Sequence, residues 1–246
     1  MTASRTVLIT GGAGGIGQAI ARAFLTAGDE VVLADRDGDA VSAVAAELGA
    51  QALILDISDT AAVQAAFADL AAAGRGVDVL VNNAGILSVH GTVTELPAEA
   101  YRSILEVNVI GTFQMIQSFA QHRIAAGGGG TVVNLSSIGG RQPTPGMGAY
   151  ESSKAAVDSV TRWAAIELAA HGIRVNAVAP GPVATPMLQL GLPEGSPARK
   201  AWTDRIPLGA LASVEDIAHA TVFLASPGAA HITGVSLPVD GGQLLK

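Results

Sequence analysis

Cysteine is absent from the 246-residue sequence, which excludes both a disulfide framework and a thiolate metal site. The five histidines are scattered along the chain, so we expect no bound metal. Charged residues make up only 14%, and 14 Lys and Arg against 21 Asp and Glu leave a net charge of −7. Because nucleic-acid-binding surfaces are basic, and the largest basic cluster is Arg199-Lys200, we expect no nucleic-acid partner.

Long apolar runs are missing as well. None approaches the roughly 20 residues that a membrane-spanning helix needs. Residues 1–5 lead directly into an apolar strand, without the basic and apolar regions of a secretory signal. We therefore expect no membrane partner and place the protein in the cytoplasm. Hydrophobic residues make up 49%, enough for the core of one domain over residues 1–246.

What is present is a regular alternation of apolar strands and amphipathic helices. The apolar stretches predict strands at 6–10, 30–34, 52–55, 77–81, 131–135, 174–179 and 235–239. Helical periodicity predicts helices at 16–27, 38–48, 60–73, 98–126, 151–170 and 214–225. Continuously apolar strands separated by helices are typical of parallel sheets covered on both faces. We predict an α/β, Rossmann-type doubly wound fold, with a seven-stranded parallel sheet in a single domain.

One segment, residues 180–211, breaks this alternation with proline, glycine and mixed polarity. Loops of that length inside a compact domain are usually functional, and many close over an active site. We therefore predict a substrate lid at about residues 183–211.

A glycine-rich loop joins the first strand to the first helix, with the sequence Thr10-Gly-Gly-Ala-Gly-Gly-Ile-Gly17. Residues without side chains let backbone N–H groups and the helix dipole approach a pyrophosphate. The spacing of Gly11, Gly15 and Gly17 is G-x-x-x-G-x-G, which differs from the G-x-G-x-x-G of two-domain dehydrogenases. A flexible turn without a ligand is the alternative interpretation.

The end of the second strand indicates which dinucleotide binds. Asp35 lies about 20 residues beyond the glycine loop, where a carboxylate accepts hydrogen bonds from both adenosine ribose hydroxyls and repels a 2′-phosphate. This favours NAD over NADP. Arg36 complicates the choice, because its guanidinium can receive a phosphate, stack over adenine or face solvent. A helix-capping role is the alternative for Asp35.

Tyr150 and Lys154 are candidates for acid–base chemistry. Tyrosine normally titrates near pH 10. Lys154 is one helical turn further along, and a fixed cation there favours phenolate, so we predict that the pKa of Tyr150 is lowered by several units. Ser137 ends a strand at the edge where ligands bind parallel sheets, and its hydroxyl can hold a substrate oxygen. Ser136 is the rival, to which we assign packing or capping.

The glycine spacing resembles that of the short-chain dehydrogenase/reductase family, whose one-domain members open with T-G-x-x-x-G-x-G. Other landmarks of the family follow in order along essentially the whole chain: Asp56, Asn82-Asn83-Ala84-Gly85, Asn108, Ser137, Tyr150, Lys154 and Pro180-Gly181. The resemblance implies an NAD-dependent oxidoreductase that moves hydride between nicotinamide and a secondary alcohol or ketone.

The resemblance also implies roles for individual residues. Catalysis is expected from Ser137, Tyr150, Lys154 and Asn108, with Asn108 holding a water that relays protons to the lysine. Lys154 is also expected to bond the nicotinamide ribose. Asp56 and Ile57 would flank the adenine, and Val183 and Thr185 would contact the carboxamide. The expected cofactor residues are Gly11, Gly14, Gly15, Ile16, Gly17, Asp35, Arg36, Asp56, Ile57, Asn83, Ala84, Gly85, Tyr150, Lys154, Pro180, Gly181, Val183 and Thr185. Gly14 further favours NAD, since NADP-using relatives often carry Arg or Lys near this position.

The substrate is expected to be a neutral, medium-sized alcohol or ketone, oxidised in the cell. It would contact Ser137, Tyr150 and Gln142 and a mostly apolar wall formed by Met147, Leu188, Leu190, Leu192 and Trp202. Sugar alcohols, hydroxy acids, cyclic alcohols, dihydrodiols and steroids all stay open. Charged loop residues offer recognition of a polar or anionic group instead: His90, Arg141, Glu194, Arg199 and Lys200.

Two other functions are weighed against this one. An NADPH-dependent 3-oxoacyl-thioester reductase shares the fold and the catalytic residues, but Asp35 speaks against it. A non-catalytic dinucleotide-binding scaffold or sensor is disfavoured by the intact set of Ser137, Tyr150, Lys154 and Asn108. The resemblance further implies a homotetramer that pairs through helices 98–126 and 151–170. The low surface charge is consistent with surface buried between subunits.

Overall fold

The structure is a computed structural model that describes residues 4–185, 188 and 193–246. Its seven strands form one parallel sheet in the order β3-β2-β1-β4-β5-β6-β7. The strands are β1 Thr6–Thr10, β2 Glu30–Asp35, β3 Gln51–Ile54, β4 Val77–Asn82, β5 Gly130–Leu135, β6 Ile173–Pro180 and β7 Ser236–Val239. The helices are α1 Gly15–Thr26, α2 Gly38–Leu48, α3 Thr60–Ala72, α4 Ala98–Leu105, α5 Thr112–Ala125, α6 Gly148–Leu168, α7 Pro197–Thr203 and α8 Val214–Ala225. The predicted doubly wound fold is confirmed.

The sheet is largely apolar on both faces because consecutive residues in the middle of the central strands are apolar, as in Val7-Leu8-Ile9 of β1. Successive side chains of a strand point to opposite faces. Val7 and Ile9 thus join the core under α1, α2 and α8, whereas Leu8 joins the core under α3, α5 and α6. All three side chains are fully buried. Two hydrophobic layers therefore hold helices against both faces of the sheet and keep the ends of the strands in place.

The strand order reverses next to β1, which pairs with β2 on one side and with β4 on the other. Connections on the two sides of this switch point leave in opposite directions, and a crevice opens at the carboxyl ends of the strands. The loops that follow β1, β4, β5 and β6 all emerge at this edge. The edge therefore brings the glycine loop together with the segments that carry Ser137 and Pro180.

The long helix predicted at 98–126 is interrupted in the structure. A π-helix, Glu106–Gly111, separates α4 from α5. Gly111 lies against the loop after β3, and a Cβ atom at this position would come within 2.8 Å of Ile57 Cγ1. The π-turn widens the helix around Asn108, whose carbonyl accepts a hydrogen bond of 2.8 Å from Thr112 Oγ1. Such single π-turns frequently occur at functional sites.

The predicted lid leaves and rejoins the body of the fold at one point. An isolated parallel bridge pairs Val183 with Ala212, and Ala184 N donates to Ala212 O at 2.8 Å. Between these residues the segment contains the short helix α7, which sequence periodicity did not reveal. Leu190 and Leu192 lie outside the described residues. None of the helices in the described ranges combines the length and apolar character needed to cross a bilayer.

Candidate active site

The glycine loop after β1 has no room for side chains. Gly11 has φ +64°, and a Cβ atom here would lie 2.8 Å from Ala84 Cα. A Cβ atom at Gly17 would lie only 2.4 Å from the Gly11 carbonyl oxygen. Helix α1 starts at Gly15, and its N-cap, Gly14, supplies no side-chain acceptor for the N–H groups of the first turn. Uncapped N–H groups of this kind, together with the helix dipole, fit a dinucleotide pyrophosphate.

Asn83 holds the glycine loop from the neighbouring strand. Its Nδ2 atom donates to the carbonyl oxygens of Thr10 and Gly11, each at 3.0 Å. The Thr10 hydroxyl in turn accepts from the backbone N–H groups of Asn83 and Ala84. The Asn83 side chain therefore ties the glycine loop to the segment after β4. Gly85 follows in the same segment, and a Cβ atom there would be 3.3 Å from Lys154 Nζ.

Asp35 lies at the end of β2 directly beside the glycine loop. Its two carboxylate oxygens accept from the backbone N–H groups of Ala13 and Asp37, each at 3.2 Å. The N-cap of α2 is Asp37, whose side chain accepts from Ala40 N. The structure thus excludes the helix-capping alternative for Asp35. Arg36 is exposed next to it.

The residues expected to flank the adenine differ in how they are placed. Asp56 is exposed, and its Oδ1 atom accepts from the backbone N–H of Ser58 at 2.9 Å and from the Ser58 hydroxyl at 2.6 Å. These bonds lower the pKa of Asp56. The side chain of Ile57, by contrast, is buried in the core against Gly111. The Ile57 side chain therefore packs against the π-helix at Gly111.

The chain leaves β6 through tightly packed residues. Pro180 is buried, and a Cβ atom at Gly181 would lie 2.9 Å from Asp240 Cα. Val183 is buried at the start of the bridge to Ala212. The Thr185 hydroxyl accepts from Leu188 N at 3.2 Å and retains its own proton for a further acceptor.

The structure brings Ser137, Tyr150 and Lys154 together at the carboxyl edge. Strand β5 ends at Leu135, and Ser137 caps the short 3₁₀ turn that follows, accepting from Gly139 N. Tyr150 lies in the first turn of α6, close enough to Ser137 for the serine side chain to affect the pKa of the phenol. Lys154 Nζ lies 5.6 Å from the centre of the Tyr150 ring. Ser136 is buried and its hydroxyl donates to Lys154 O, which fits the packing role assigned to it.

The predicted lowering of the Tyr150 pKa is wrong for the chain by itself. Burial raises the pKa of Tyr150, the hydrogen bond from Ser137 opposes this in part, and the charge of Glu151 raises it further. Burial also lowers the pKa of Lys154 to about 8, against a smaller opposite effect of Asp158. The sequence argument counted the attraction between phenolate and ammonium and omitted the cost of burying both charged forms. Lys154 Nζ donates to Leu135 O at 2.7 Å.

Asn108 is completely buried, although its place in a predicted helix gave no sign of this. Its Oδ1 atom accepts from Ile86 N at 2.8 Å, and its Nδ2 atom donates to Ile86 O and to Ser153 Oγ, each at 3.0 Å. The side chain therefore ties the segment after β4 to α6, beside Lys154. The expected water relay stays a prediction.

The expected substrate contacts are spread over two segments. Met147, the N-cap residue of α6, is partly buried, and so are Leu188 and Trp202. Arg205 lies over the Trp202 ring at 5.1 Å. Gln142 turns toward the C-terminal residues, where its Nε2 atom donates to Lys246 O at 3.3 Å.

Two polar features of the site were not found by sequence reasoning. The first is a buried chain of amides, in which Asn82 donates to Asn134 and Asn134 donates to Thr161, each at 2.9 Å. The second is Glu151, a buried carboxylate directly after Tyr150. Its only sequence signal is an acidic residue in the first turn of a helix, which is common on surfaces.

The chain matches known proteins over nearly its whole length. A family model described as enoyl-(acyl carrier protein) reductase matches residues 11–243. Sorbitol dehydrogenase of Cereibacter sphaeroides is 38% identical in an alignment that covers 98% of each chain. Galactitol 2-dehydrogenase (L-tagatose-forming) of the same organism is 40% identical over 239 residues, covering 95% of this chain and 92% of the relative.

Solved structures agree with this assignment. The 3-ketoacyl-(acyl-carrier-protein) reductase of Brucella melitensis, complexed with NADH, has a TM-score of 0.88 and 38% identity, covering 97% of this chain and 98% of that chain. ElxO with NADP bound has a TM-score of 0.92 and 33% identity, covering 99% and 100%. The predicted resemblance is confirmed: the chain belongs to the short-chain dehydrogenase/reductase family of pyridine-nucleotide-dependent oxidoreductases.

Proposed function

We propose that the protein is an NAD-dependent dehydrogenase that oxidises a neutral secondary alcohol and reduces the matching ketone, with Tyr150 as its acid and base. The observation that carries the proposal is the grouping of Ser137, Tyr150 and Lys154 next to a glycine loop that fits a dinucleotide. A bound oxidised nicotinamide supplies the hydride acceptor and a positive charge that favours phenolate.

The residues of the chain handle the proton and the substrate oxygen. The Tyr150 phenolate takes the proton of the substrate hydroxyl during oxidation, and the phenol returns it during reduction. The Ser137 hydroxyl, which lies beside Tyr150, orients the same oxygen. Lys154, with a pKa of about 8, can exchange protons at neutral pH. Asn108 keeps the segment after β4 against α6, so that Gly85 leaves space for the lysine head group.

NAD is the proposed dinucleotide because of the fixed carboxylate of Asp35. The backbone N–H groups of Ala13 and Asp37 hold it at the edge of the glycine loop. A 2′-phosphate beside this carboxylate would meet a like charge, whereas ribose hydroxyls would find an acceptor. The related structures contain NADH in one case and NADP in another, so the preference needs its own measurement.

A neutral polyol is the substrate class to test first, because the two relatives are named as sorbitol and galactitol dehydrogenases. The partly buried Met147, Leu188 and Trp202 would provide the apolar side of the site, and Ser137 its polar anchor. The segment from Val183 to Ala212 would close over the substrate, with the bridge between these two residues as its base.

The test is a turnover screen of sugar alcohols, cyclic alcohols and hydroxy acids with NAD and NADP, and of the matching ketones with the reduced forms. We expect oxidation with NAD, and a loss of roughly 10²–10⁴-fold in kcat for Tyr150→Phe, the usual contribution of a positioned acid or base. Binding of NAD measured by calorimetry should persist in this variant. A scaffold without activity would instead bind NAD and turn over nothing, with or without the substitution.

A second candidate is reduction of a 3-oxoacyl thioester. The Brucella melitensis structure carries that name, and the matching family model is described as an acyl-carrier-protein reductase. An acetoacetyl thioester in the same screen separates the two functions. Rapid reduction with NADPH and no polyol oxidation would favour the second candidate.

The expected homotetramer and cytoplasmic location are also proposals. Trp163 and Ile166 are large apolar residues on α6 that are 49% and 79% exposed, and Ile110 on the π-helix is 41% exposed. These residues supply apolar surface for pairing through the predicted helices. Sedimentation should give a tetramer, and a monomer would contradict the proposed pairing.

A further inference from the structure

Glu151 is a carboxylate buried within the proposed active site. It directly follows Tyr150 in the first turn of α6, and only 6% of its surface is exposed. Both of its carboxylate oxygens accept from the same backbone N–H, that of Thr144, at 2.8 and 3.0 Å. Burying a charged carboxylate is costly unless hydrogen bonds or opposite charge compensate it. The Thr144 N–H and the N-terminus of α6 provide that compensation.

Gly139 makes the space in which the Glu151 side chain lies. A Cβ atom at Gly139 would come within 2.9 Å of Glu151 Cγ and 3.4 Å of Ser137 Oγ. Next to it, a Cβ atom at Gly140 would lie 2.9 Å from the backbone nitrogen of Ala155 in α6. The turn after Ser137 therefore presses directly onto α6, with the aliphatic part of Glu151 packed between the two.

The segment bound by Glu151 links the two halves of the reaction centre. Residues 141–147 run from the turn of Ser137 to the start of α6, which carries Tyr150. At its far end one contact of this segment leads away from α6, since Gly146 O accepts from Gly91 N at 3.1 Å, and at its near end Arg141 Nε lies 3.6 Å from Asp158 of α6. The bond from Thr144 to Glu151 ties the middle of the segment back to the helix.

We propose that Glu151 is a positioning residue, which clamps residues 141–147 onto the first turn of α6 and so holds Ser137 and Tyr150 at the distance that the reaction needs. Its kinetic consequences rest on the function proposed above. The clamp itself does not, because it is a contact within the free protein.

The charges around Tyr150 give the clamp a measurable signature. On α6 the neighbours are Glu151 and Lys154, and from the turn after β5 the hydroxyl of Ser137 faces the phenol. Asp158, one turn beyond Lys154, lies 3.6 Å from Arg141 Nε. The charge of Glu151 raises the pKa of Tyr150. Neutralising this carboxylate should therefore lower the pH at which the phenol ionises, whereas the same change at an exposed position further along α6 should leave it unchanged.

The experiment compares Glu151→Gln, Glu151→Ala and the control Glu167→Gln. The control makes the same chemical change at an exposed position of the same helix. Glutamine keeps an acceptor for Thr144 N but removes the charge, whereas alanine removes both. Hydrogen–deuterium exchange of the 141–147 peptide reports the clamp without any substrate. The pH profile of kcat/KM, and KM at the optimum, report its effect on the reaction.

We expect faster exchange of residues 141–147 in Glu151→Ala only, with a rise of about tenfold or more in KM, because a hydrogen bond to a charged group is lost. In Glu151→Gln the acidic limb should move to lower pH, because a negative charge that disfavours the phenolate is removed. Thermal unfolding identifies a variant that fails to fold, and Glu151→Gln, which keeps the acceptor, then carries the test.

The hydrogen–deuterium exchange result tests the proposed clamp even if the protein turns over no alcohol. Equal exchange of residues 141–147 in wild type, Glu151→Ala and Glu167→Gln would overturn the proposal. Altered exchange in Glu151→Ala together with a wild-type protein that oxidises nothing would overturn only the proposed function. An unmoved pH profile in an active Glu151→Gln variant would also count against the proposed role of Glu151.

Discussion

Replacing Gly17 by alanine should weaken dinucleotide binding while leaving the protein folded. The new Cβ atom would lie 2.4 Å from the Gly11 carbonyl oxygen and 3.0 Å from Gly12 Cα. The loop cannot retreat, because a Cβ atom at Gly12 would itself come within 2.9 Å of Leu33 Cβ. Such overpacking costs about 1–3 kcal/mol. A gain of about 1 kcal/mol in helix propensity offsets part of it, since Gly17 lies within α1.

Urea unfolding should therefore show a net loss of at most about 2 kcal/mol for Gly17→Ala. Calorimetry should show a dissociation constant for NAD that is at least tenfold larger, because the displaced loop no longer presents its N–H groups to the pyrophosphate. Wild-type affinity for NAD in a folded Gly17→Ala variant would refute the assignment of this loop to the phosphates.

Alanine substitutions at two further glycines distinguish the steric cost of a new Cβ atom from the conformational cost of a positive φ. Gly49 has φ +70° with open space around its Cβ position, so alanine there should cost about 1–2 kcal/mol in stability and leave NAD binding unchanged. Gly76 has neither a positive φ nor a neighbour within 4 Å. Alanine at Gly76 should be neutral or stabilise by up to about 1 kcal/mol.

Asp35→Ala should lower kcat/KM for NAD about tenfold or more and raise it for NADP, because two acceptors are lost and Arg36 becomes free to meet a 2′-phosphate. Unchanged selectivity in initial-rate assays with both dinucleotides would contradict the role of Asp35, and Asp37→Ala, which removes the α2 cap, serves as the control. Buried Lys154 has a pKa of about 8, below the 10.5 of an unperturbed lysine, so the unfolded chain binds more protons than the folded chain between these values. Stability should therefore rise with pH over this range, by on the order of 3 kcal/mol relative to Lys154→Met, in urea titrations at several pH values. Parallel pH curves for the two proteins would show that the lysine is not desolvated.

Local patterns in the sequence predicted most of the fold. Apolar runs and helical periodicity located all seven strands, because parallel strands buried on both faces leave a continuous apolar signal. Boundaries shifted by one or more residues where caps decided them. Helix α6, for example, begins at Gly148 and not at Glu151, which places Tyr150 in its first turn.

The π-helix around Asn108 had no such signal. Its cause is the fit between Gly111 and Ile57 and the bonds from Asn108 to Ile86 and Ser153. Those partners lie far away along the chain. A helix prediction that considers only neighbouring residues therefore continues straight through it.

The sequence by itself identified the glycine loop, Tyr150 and Lys154 as candidate site groups, because glycine spacing and the single helical turn between Tyr150 and Lys154 are local properties of the chain. Tertiary structure alone decided their ionisation. Burial raises the pKa of Tyr150 and lowers that of Lys154, and it places the charge of Glu151 against the phenol. Desolvation and charge interactions depend on everything packed around a group, and only the folded chain defines those surroundings.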